Sequence, residues 1–464
     1  MEAVIKKTSD IDGKYFLRVS VIFFILALML FFIQHNYEYS TLTFILICFT
    51  LAVFSIPFLF IKKIDIFSPI IFWTLMNIQL IARPIILVIQ QDIHIRWLPF
   101  LSTQDVEYFY QITFILIDIS SLFYYIAYFS SFSKLIKIKT KIKEKPWNIK
   151  MAYLVIAILV SFSIVAYLFA IKKAGGFIYI LQNFYRRGNL FEGLFYFVYF
   201  VQLIELATCL LVIIDRNFFK SFKFWFLLLI GTFLNASFGS RSTAVHFWLL
   251  ILIVYHYRWK MISKKVLVTV GLVVIIFALW FGQFREATSR MDIFNPDIYS
   301  ITLKKEGEKI DIIKNFFLAR RGFDCLAALI YVVPEKLPFQ FGKTFLNLFF
   351  APIPRKIWPG KPVIDETGIL GRAVLGREQG LPPGNIGVWY MNFFIPGVII
   401  GSLLLGYIHK FFYNILKYNL NSKKAILIYS ISLLKLGGIS VNNLINWLML
   451  LLPALVVLRL LEKK

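Results

Sequence analysis

The chain has 464 residues, of which 59% are hydrophobic, and it carries a formal net charge of +25 at pH 7. Soluble domains are about 45–50% apolar, so this composition excludes an ordinary soluble globular protein. A charge of +25 is also found in nucleic-acid-binding proteins, but the positions of the cations along this chain favour another explanation.

Apolar runs of membrane-crossing length follow one another along the chain. A helix crosses a hydrocarbon core of about 30 Å with roughly 20 apolar residues. The first run is not followed by a small-residue cleavage site, which argues against a secretory signal peptide. The sequence predicts an all-α polytopic membrane protein with about 12 transmembrane helices, at residues of about 17–34, 41–61, 66–90, 106–131, 151–171, 194–214, 224–239, 242–257, 266–282, 386–408, 425–440 and 443–460.

Short basic loops lie between alternate pairs of these spans, as in "SKLIKIKTKIKEKPWNIK" (133–150) and "YRWKMISKK" (257–265). The loops and termini on this side hold 27 of the 50 Lys/Arg residues but 7 of the 25 Asp/Glu residues. An excess of lysine and arginine marks cytoplasmic loops. We therefore expect a multi-pass membrane protein with both termini cytoplasmic. The basic charge is then mostly topological, and no nucleic-acid partner is predicted.

The longest connection, residues 283–387, is predicted to face the outer side of the membrane. Loops of this length are usually functional, and its content of Phe, Leu, Ile and Trp predicts that it folds. Short amphipathic helices are predicted in "DIIKNFFLARRGFDCLAALIYVV" (311–333), on or in the outer leaflet, and in "GKTFLNLFFAPIP" (342–354). The chain thus divides into spans 1–9 (1–282), this loop, and spans 10–12 (388–464).

Cations on the external side are candidate ligands for phosphate, because arginine presents a planar fork of donors that matches phosphate oxygens. In "APIPRKIWPGKP" (351–362), prolines fix the backbone around Arg355 and Lys361, and Trp358 lies between these two cations. In "FGSRS", small residues around Arg241 permit an anion-binding turn. The competing interpretation is solvated charge near lipid head groups. The remaining candidates are Arg83, Arg187, Arg320, Arg321, Arg372 and Arg377.

Carboxylates in the large loop are candidate general bases, chiefly Asp324 and then Glu378. Asp324 stands four residues after Arg320, so an ion pair along one helix is the competing interpretation. The adjacent Asp365 and Glu366 are weak indicators of a metal. The three cysteines have no metal-ligand spacing, and no metal or cofactor is predicted.

Four charged residues fall in the interior of predicted spans, away from the span ends, namely Arg83, Asp118, Glu205 and Lys435. A charge inside a membrane is costly and usually has a partner. We expect these four to pair with one another or to serve a substrate, and Arg83 is the best functional candidate because it lies toward the outer end of its span. His246 is expected to be structural.

The order of motifs from about residue 235 to 405 resembles the bacterial O-antigen or oligosaccharide repeat-unit polymerases of the Wzy type. The motifs are "FGSRS", "ARRGFD", "FGKTF", "APIPRKIWPGKP" and "LPPGNIGVWYMNFFIPGVIIGSLLLG". Some members carry an Arg-x10-Gly pattern in two outer loops. Here Arg187, Arg320 and Arg355 each lack a glycine eleven positions on, so no role is transferred from that pattern.

The resemblance implies a metal-independent, GT-C-like membrane glycosyltransferase. Such an enzyme lies in the bacterial plasma (inner) membrane, with its active site and the loop 283–387 facing the periplasm. It joins undecaprenyl-diphosphate-linked oligosaccharides, which are both donor and acceptor, at the outer face of that membrane and releases undecaprenyl diphosphate. The arginines would then stabilise the leaving diphosphate, and Trp358 could stack on a sugar ring. Membrane lipid surrounds such an enzyme, and a chain-length regulator and a flippase are candidate partners.

Three alternatives share part of this pattern. A lipid-linked oligosaccharide flippase would have similar spans but would not need a large folded loop. An O-antigen ligase would share the loop and the arginines, and "PRKIWPGKP" favours the polymerase over it. A polyprenyl-monophosphate sugar transferase usually has acidic residues in its first outer loop, whereas "QHNYEYS" contains only Glu38.

Overall fold

A computed structural model describes residues 39–61, 64–130, 142, 144–183, 190–191, 193–238, 241–288, 317–350, 353, 357–361, 365–377 and 380–462. These residues form helices and no β-strand, and an isolated antiparallel bridge joins Trp147 to Glu462. The helices in chain order are α1 Thr41–Phe60, α2 Pro69–Ile89, α3 Thr103–Phe129, α4 Ile149–Lys173, α5 Phe177–Gln182, α6 Phe195–Val201, α7 Leu203–Ile214, α8 Phe222–Ala236, α9 Arg241–Arg258, α10 Lys264–Thr288, α11 Gly322–Val332, α12 Lys343–Phe350, α13 Glu366–Leu375, α14 Gly384–Tyr418, α15 Lys423–Lys435 and α16 Val441–Leu461.

Several of these helices begin at residues that suit a helix N-terminus. The Ser102 hydroxyl accepts a hydrogen bond from the Asp105 amide at 3.2 Å and caps α3. The Asn148 side chain caps α4 in the same way. Pro69 opens α2, where its missing N–H removes no helical hydrogen bond.

Seven helices in the described part of the chain are long and apolar enough to cross a membrane. They are α1, α2, α3, α4, α14, α16 and the run Tyr196–Ile214, which joins α6 and α7. The prediction of a helical polytopic membrane protein is therefore confirmed. The predicted span 17–34 lies outside the described residues, and the count of 12 spans remains a prediction.

The first of two compact units contains residues 1–138, 314–414 and 436–445. Within it α3 packs against α1 and α2, and α11 packs against α2, α3 and α13. The helix α11 is buried along most of its length, from Phe323 to Ile330. It is therefore a core helix of this unit rather than the amphipathic surface helix expected from the sequence. Gly322 permits the approach, because a Cβ there would lie 2.7 Å from the Leu80 side chain.

The second unit contains residues 139–313, 415–435 and 446–464. Its centre is α7, which packs against α4, α8 and α9, while α9 also packs against α10 and α15. The Glu144 carboxylate accepts hydrogen bonds from the Lys423 amide, and Lys424 pairs with Glu462. These contacts fix the ends of α15 and α16 beside the segment that precedes α4.

Candidate functional site

A buried ion pair joins α2 to α11. Arg83 donates from Nε to Oδ1 of Asp324 at 3.0 Å, and its Nη2 lies 3.0 Å from Oδ2. The side chains are 6% and 0% exposed. This two-point contact uses the planar fork of the guanidinium, and it holds the start of α11 against the C-terminal half of α2.

The other polar atoms of this pair are also hydrogen-bonded. Arg83 Nη1 donates to the Leu318 carbonyl at 2.8 Å, and the Arg96 amide donates to Asp324 Oδ2 at 3.2 Å. Arg83 Nη2 lies 3.2 Å from His94 Nε2. The desolvation of both charges is therefore offset by several partners, as a stable buried ion pair requires.

The position of His94 assigns its tautomer. The guanidinium of Arg83 can only donate, so Nε2 of His94 accepts. Its Nδ1 then carries the proton, and it lies 3.0 Å from the Asp92 carbonyl. The imidazole side chain is 44% exposed, so it is the exposed end of this hydrogen-bond network. Sequence reasoning missed His94, although it lies only 11 positions from Arg83, because no motif marks it.

This geometry corrects the expected pairing of Asp324. The helix α11 begins at Gly322, so Arg320 precedes the helix instead of lying one turn below Asp324. Arg83, which was expected either to pair within the spans or to serve a substrate, is the partner instead. Because both oxygens of Asp324 are engaged and buried, the carboxylate orients α11, and its role as a general base stays a prediction.

Arg320 and Arg321 lie immediately before α11, so the Arg83–Asp324 pair also fixes their position. Arg321 is the N-cap residue of α11 and is exposed. Arg320 is partly buried, and this burial lowers the pKa of its guanidinium below the ordinary value. An arginine has a wide margin before it loses its charge, so both side chains remain cationic donors at neutral pH.

Lys361 and Trp358 belong to a turn that follows α12. Lys361 Nζ donates to the Ile353 carbonyl at 2.8 Å, and the residue is 9% exposed. Trp358 meets Phe350 edge to face at 5.4 Å between ring centroids. Because Trp358 remains 37% exposed, one side of the indole is open to a partner such as a sugar ring.

Arg372 and Arg377 lie at the C-terminal end of α13, and both are exposed. Gly376 ends the helix in the left-handed conformation, with φ of 65°, and its amide donates to the Arg372 carbonyl at 2.9 Å. Because α13 packs against α11, the structure brings this segment into the unit that holds Arg83 and Asp324.

The structure does not describe the side chains of four predicted site residues. Arg187, Arg355 and Glu378 lie outside the described residues, and Arg241 is described only as the first residue of α9. Their predicted roles remain predictions.

Two further charged residues of the predicted spans behave as the sequence suggested. Lys435 Nζ lies 3.0 Å from Glu205 Oε2, which confirms that these two residues pair. Asp118 instead accepts a hydrogen bond from Thr50 at 3.1 Å. Among the described residues, no group of three His, Cys, Asp or Glu side chains could hold a metal ion.

A buried carboxylate that the sequence marked only as a weak indicator of a metal lies at the start of α13. Glu366 is 1% exposed, and its Oε1 accepts a hydrogen bond from the Val441 amide at 2.8 Å. Burial raises the pKa of this carboxyl to about 7. Beside it Asp365 caps α13 and accepts a hydrogen bond from Asn442 at 2.9 Å. The pair acts as a polar junction between α13 and the start of α16.

Comparisons of this chain with protein-family models, curated proteins and solved structures find no match.

Proposed function

We propose that this chain is an integral-membrane glycosyltransferase that polymerises lipid-linked oligosaccharide repeat units. It would act on undecaprenyl-diphosphate-linked donor and acceptor at the outer face of a bacterial plasma membrane. The proposal includes 12 spans, cytoplasmic termini and an external loop at 283–387, as the charge distribution and motif order indicate.

The observation that carries the proposal is the anchoring of the arginine-bearing loop segment to the membrane helices. Residues 317–332 pack into the first unit, and the Arg83–Asp324 pair fixes their N-terminal end. Arg320 and Arg321 are thus held at a fixed point instead of moving with a flexible loop. Pre-organised donors of this kind stabilise a charge that develops in the transition state.

In the proposed reaction, an acceptor sugar hydroxyl attacks the anomeric carbon of the donor, and the bond from that carbon to the diphosphate oxygen breaks. The diphosphate leaves with the bonding electrons, and arginine donors stabilise its charge. A carboxylate accepts the hydroxyl proton. The Asp324 oxygens are already engaged with Arg83 and the Arg96 amide, so the proposal gives this role to the second candidate, Glu378.

Glycan analysis of a deletion strain tests the proposal. Loss of the polymerase should leave single repeat units on the cell surface. Loss of a ligase would leave polymer on its lipid carrier, and loss of a flippase would leave lipid-linked intermediates inside the cell. Either of the last two outcomes would contradict the proposal.

Complementation of the same strain tests the arginines. Arg321→Ala should reduce polymer yield by about 30- to 1000-fold if its side chain contacts the diphosphate. Arg216→Ala is the matched control, because Arg216 is also exposed but lies in the short connection after α7. Equal polymer yield from the two variants would remove Arg321 from the site.

A further inference from the structure

The helix α14 is broken in the middle of its apolar sequence. Phe393 has φ −140° and ψ 19°, and Phe394 has φ 56° and ψ −147°. The φ of Phe394 is positive, which a residue with a bulky side chain rarely adopts. Pro396 follows and lacks the N–H that a continuous helix would use. A break within a membrane-length helix leaves backbone carbonyls without their helical donors.

A short loop segment supplies the missing donors. The Gln340 amide donates to the Met391 carbonyl at 2.9 Å, and the Phe341 amide donates to the Asn392 carbonyl at 3.1 Å. The Gly342 amide donates to the Asn392 side-chain oxygen at 3.0 Å. Asn392 is fully buried and also donates to Thr344 at 2.7 Å. The break is therefore a supported feature of the fold, held by the loop that precedes α12.

A cavity of about 830 Å³ opens at this break. Its volume is within the range of ligand-binding pockets, roughly 300–1,000 Å³. Every residue around it is apolar or aromatic, and the lining residues are Pro334, Phe339, Phe341, Trp389, Phe393, Phe394, Pro396 and Ile400. Phe341 is 74% exposed, so a ring that would normally be buried lies open at the wall of this cavity.

We propose that this cavity binds the isoprenoid chain of an anionic polyprenyl lipid. The inference rests on the proposed function, since a lipid-linked glycan must hold its carrier beside the reacting diphosphate. The lining offers hydrocarbon contact and few polar partners, which suits a chain and not a head group.

The charges around the cavity fit an anionic lipid. Residues 384–400 of α14 contain no charged side chain. The cations lie on the facing loop, where Lys336 follows Pro334 by two positions and Lys343 follows Phe341 by two. Glu335 is the single acidic residue in segment 334–343. Lys343 is exposed at the start of α12. A chain in the cavity could thus leave its phosphate near a basic segment.

The shape of the lining favours an isoprenoid chain over a straight acyl chain. Prolines and aromatic rings have few rotatable bonds, so the walls of the cavity cannot close around a thin chain. The methyl branch on every isoprene unit widens the chain and increases the apolar area that is buried, and the gain scales with that area.

Photolabelling of the full-length protein in phosphatidylcholine nanodiscs tests the inference. The probe is a polyprenyl phosphate that carries a diazirine on its chain, and the labelled peptides are identified by mass spectrometry. Labels should map to segments 334–341 and 389–400. Unlabelled undecaprenyl phosphate should compete, whereas phosphatidylglycerol should not. Labels confined to other segments, or equal competition by phosphatidylglycerol, would overturn the proposal.

A matched pair of variants locates the chain. Ile400→Trp should fill the cavity and lower labelling about tenfold or more, as expected when buried apolar contact is lost. Leu404→Trp lies one turn further along α14, is similarly exposed and does not line the cavity, so its labelling should match wild type. Phe341→Ala removes an exposed wall ring with little risk to folding and should also lower labelling. Unchanged labelling in both cavity variants would contradict the inference.

This measurement needs no turnover, so it separates the two proposals. Normal labelling in a protein that makes no polymer would leave the lipid site standing and refute the polymerase. Polymer formation without labelling at the cavity would refute the lipid site and leave the polymerase standing.

Discussion

Two buried ion pairs, one in each unit, differ in how completely their atoms are hydrogen-bonded. Arg83 and Asp324 make a two-point contact, and backbone groups and His94 occupy their remaining positions. Lys435 and Glu205 share a contact of 3.0 Å, with Gln202 at 3.3 Å from the ammonium. Oε1 of Glu205 has no hydrogen-bond partner among the described residues.

The difference shows why the burial of an ion pair is a poor measure of its contribution to stability. Removal of two charges from water is costly, and their attraction offsets the cost only when the remaining donors and acceptors are satisfied. The Arg83–Asp324 pair meets this condition and connects a loop segment to the membrane helices. The Glu205–Lys435 pair meets it less well, so we expect it to contribute less to stability.

The largest effect is expected from Asp324→Ala. This change leaves the Arg83 guanidinium buried without its counter-charge, which should lower the free energy of unfolding by about 3–5 kcal/mol. Thermal unfolding of the purified protein in detergent would measure it. Asp105→Ala is a suitable control, because Asp105 is an exposed carboxylate on α3. Equal melting temperatures for the two variants would show that the pair does not anchor α11.

A somewhat smaller effect is expected from Glu366, a buried carboxylate that accepts a hydrogen bond from the Val441 backbone amide. Burial raises the pKa of Glu366 from 4.5 to about 7 in the folded protein. The folded state therefore holds the proton more tightly, and the associated stability is complete below about pH 4.5 and is lost as the pH rises through 7.

Glu366→Gln keeps an acceptor for the Val441 amide but removes the ionisation. Its stability should not fall between pH 5 and pH 8, and at pH 8 it should exceed wild type by up to roughly 3 kcal/mol, at about 1.4 kcal/mol per pH unit. Melting temperatures across this pH range would measure the difference. A parallel decline in the variant and in wild type would assign the pH dependence to another group.

The broad architecture could be predicted from the sequence, because apolar runs and basic loops are local signals. The pairing of Glu205 with Lys435 was also accessible, since both charges lie in apolar surroundings. The partner of Asp324 was not, because Arg83 lies 241 positions away and only tertiary packing brings them together. The break in α14 was hidden for a similar reason. Pro396 alone does not indicate that residues 340–342 supply the missing donors.

Replacement of both members of each ion pair should show the difference between the two pairs in another way. In Glu205→Leu with Lys435→Met, the change should be neutral or should stabilise by about 1–2 kcal/mol, because few hydrogen bonds depend on the pair. In Asp324→Leu with Arg83→Met, the Leu318 carbonyl and the Arg96 amide lose their partners, so the protein should be destabilised. Equal responses of the two double variants would contradict the comparison.

The smallest effect is expected from His94, which occupies the outermost position of the Arg83 network. His94→Ala removes the acceptor for Arg83 Nη2, but the imidazole is 44% exposed, so water can replace it. The loss should be about 0.5–1.5 kcal/mol, the net value of a typical hydrogen bond. Asp92→Ala is the matched control. Asp92 is 73% exposed, and the change removes a carboxylate oxygen that lies 3.5 Å from His94 Nδ1. It keeps the backbone carbonyl, which lies closer to Nδ1, at 3.0 Å. Thermal unfolding should therefore rank the variants as Asp92→Ala, His94→Ala and Asp324→Ala in order of increasing loss. If His94→Ala cost as much as Asp324→Ala, the imidazole and not the carboxylate would hold the guanidinium in place, and the contrast between a fully satisfied ion pair and a partly satisfied one would lose its basis.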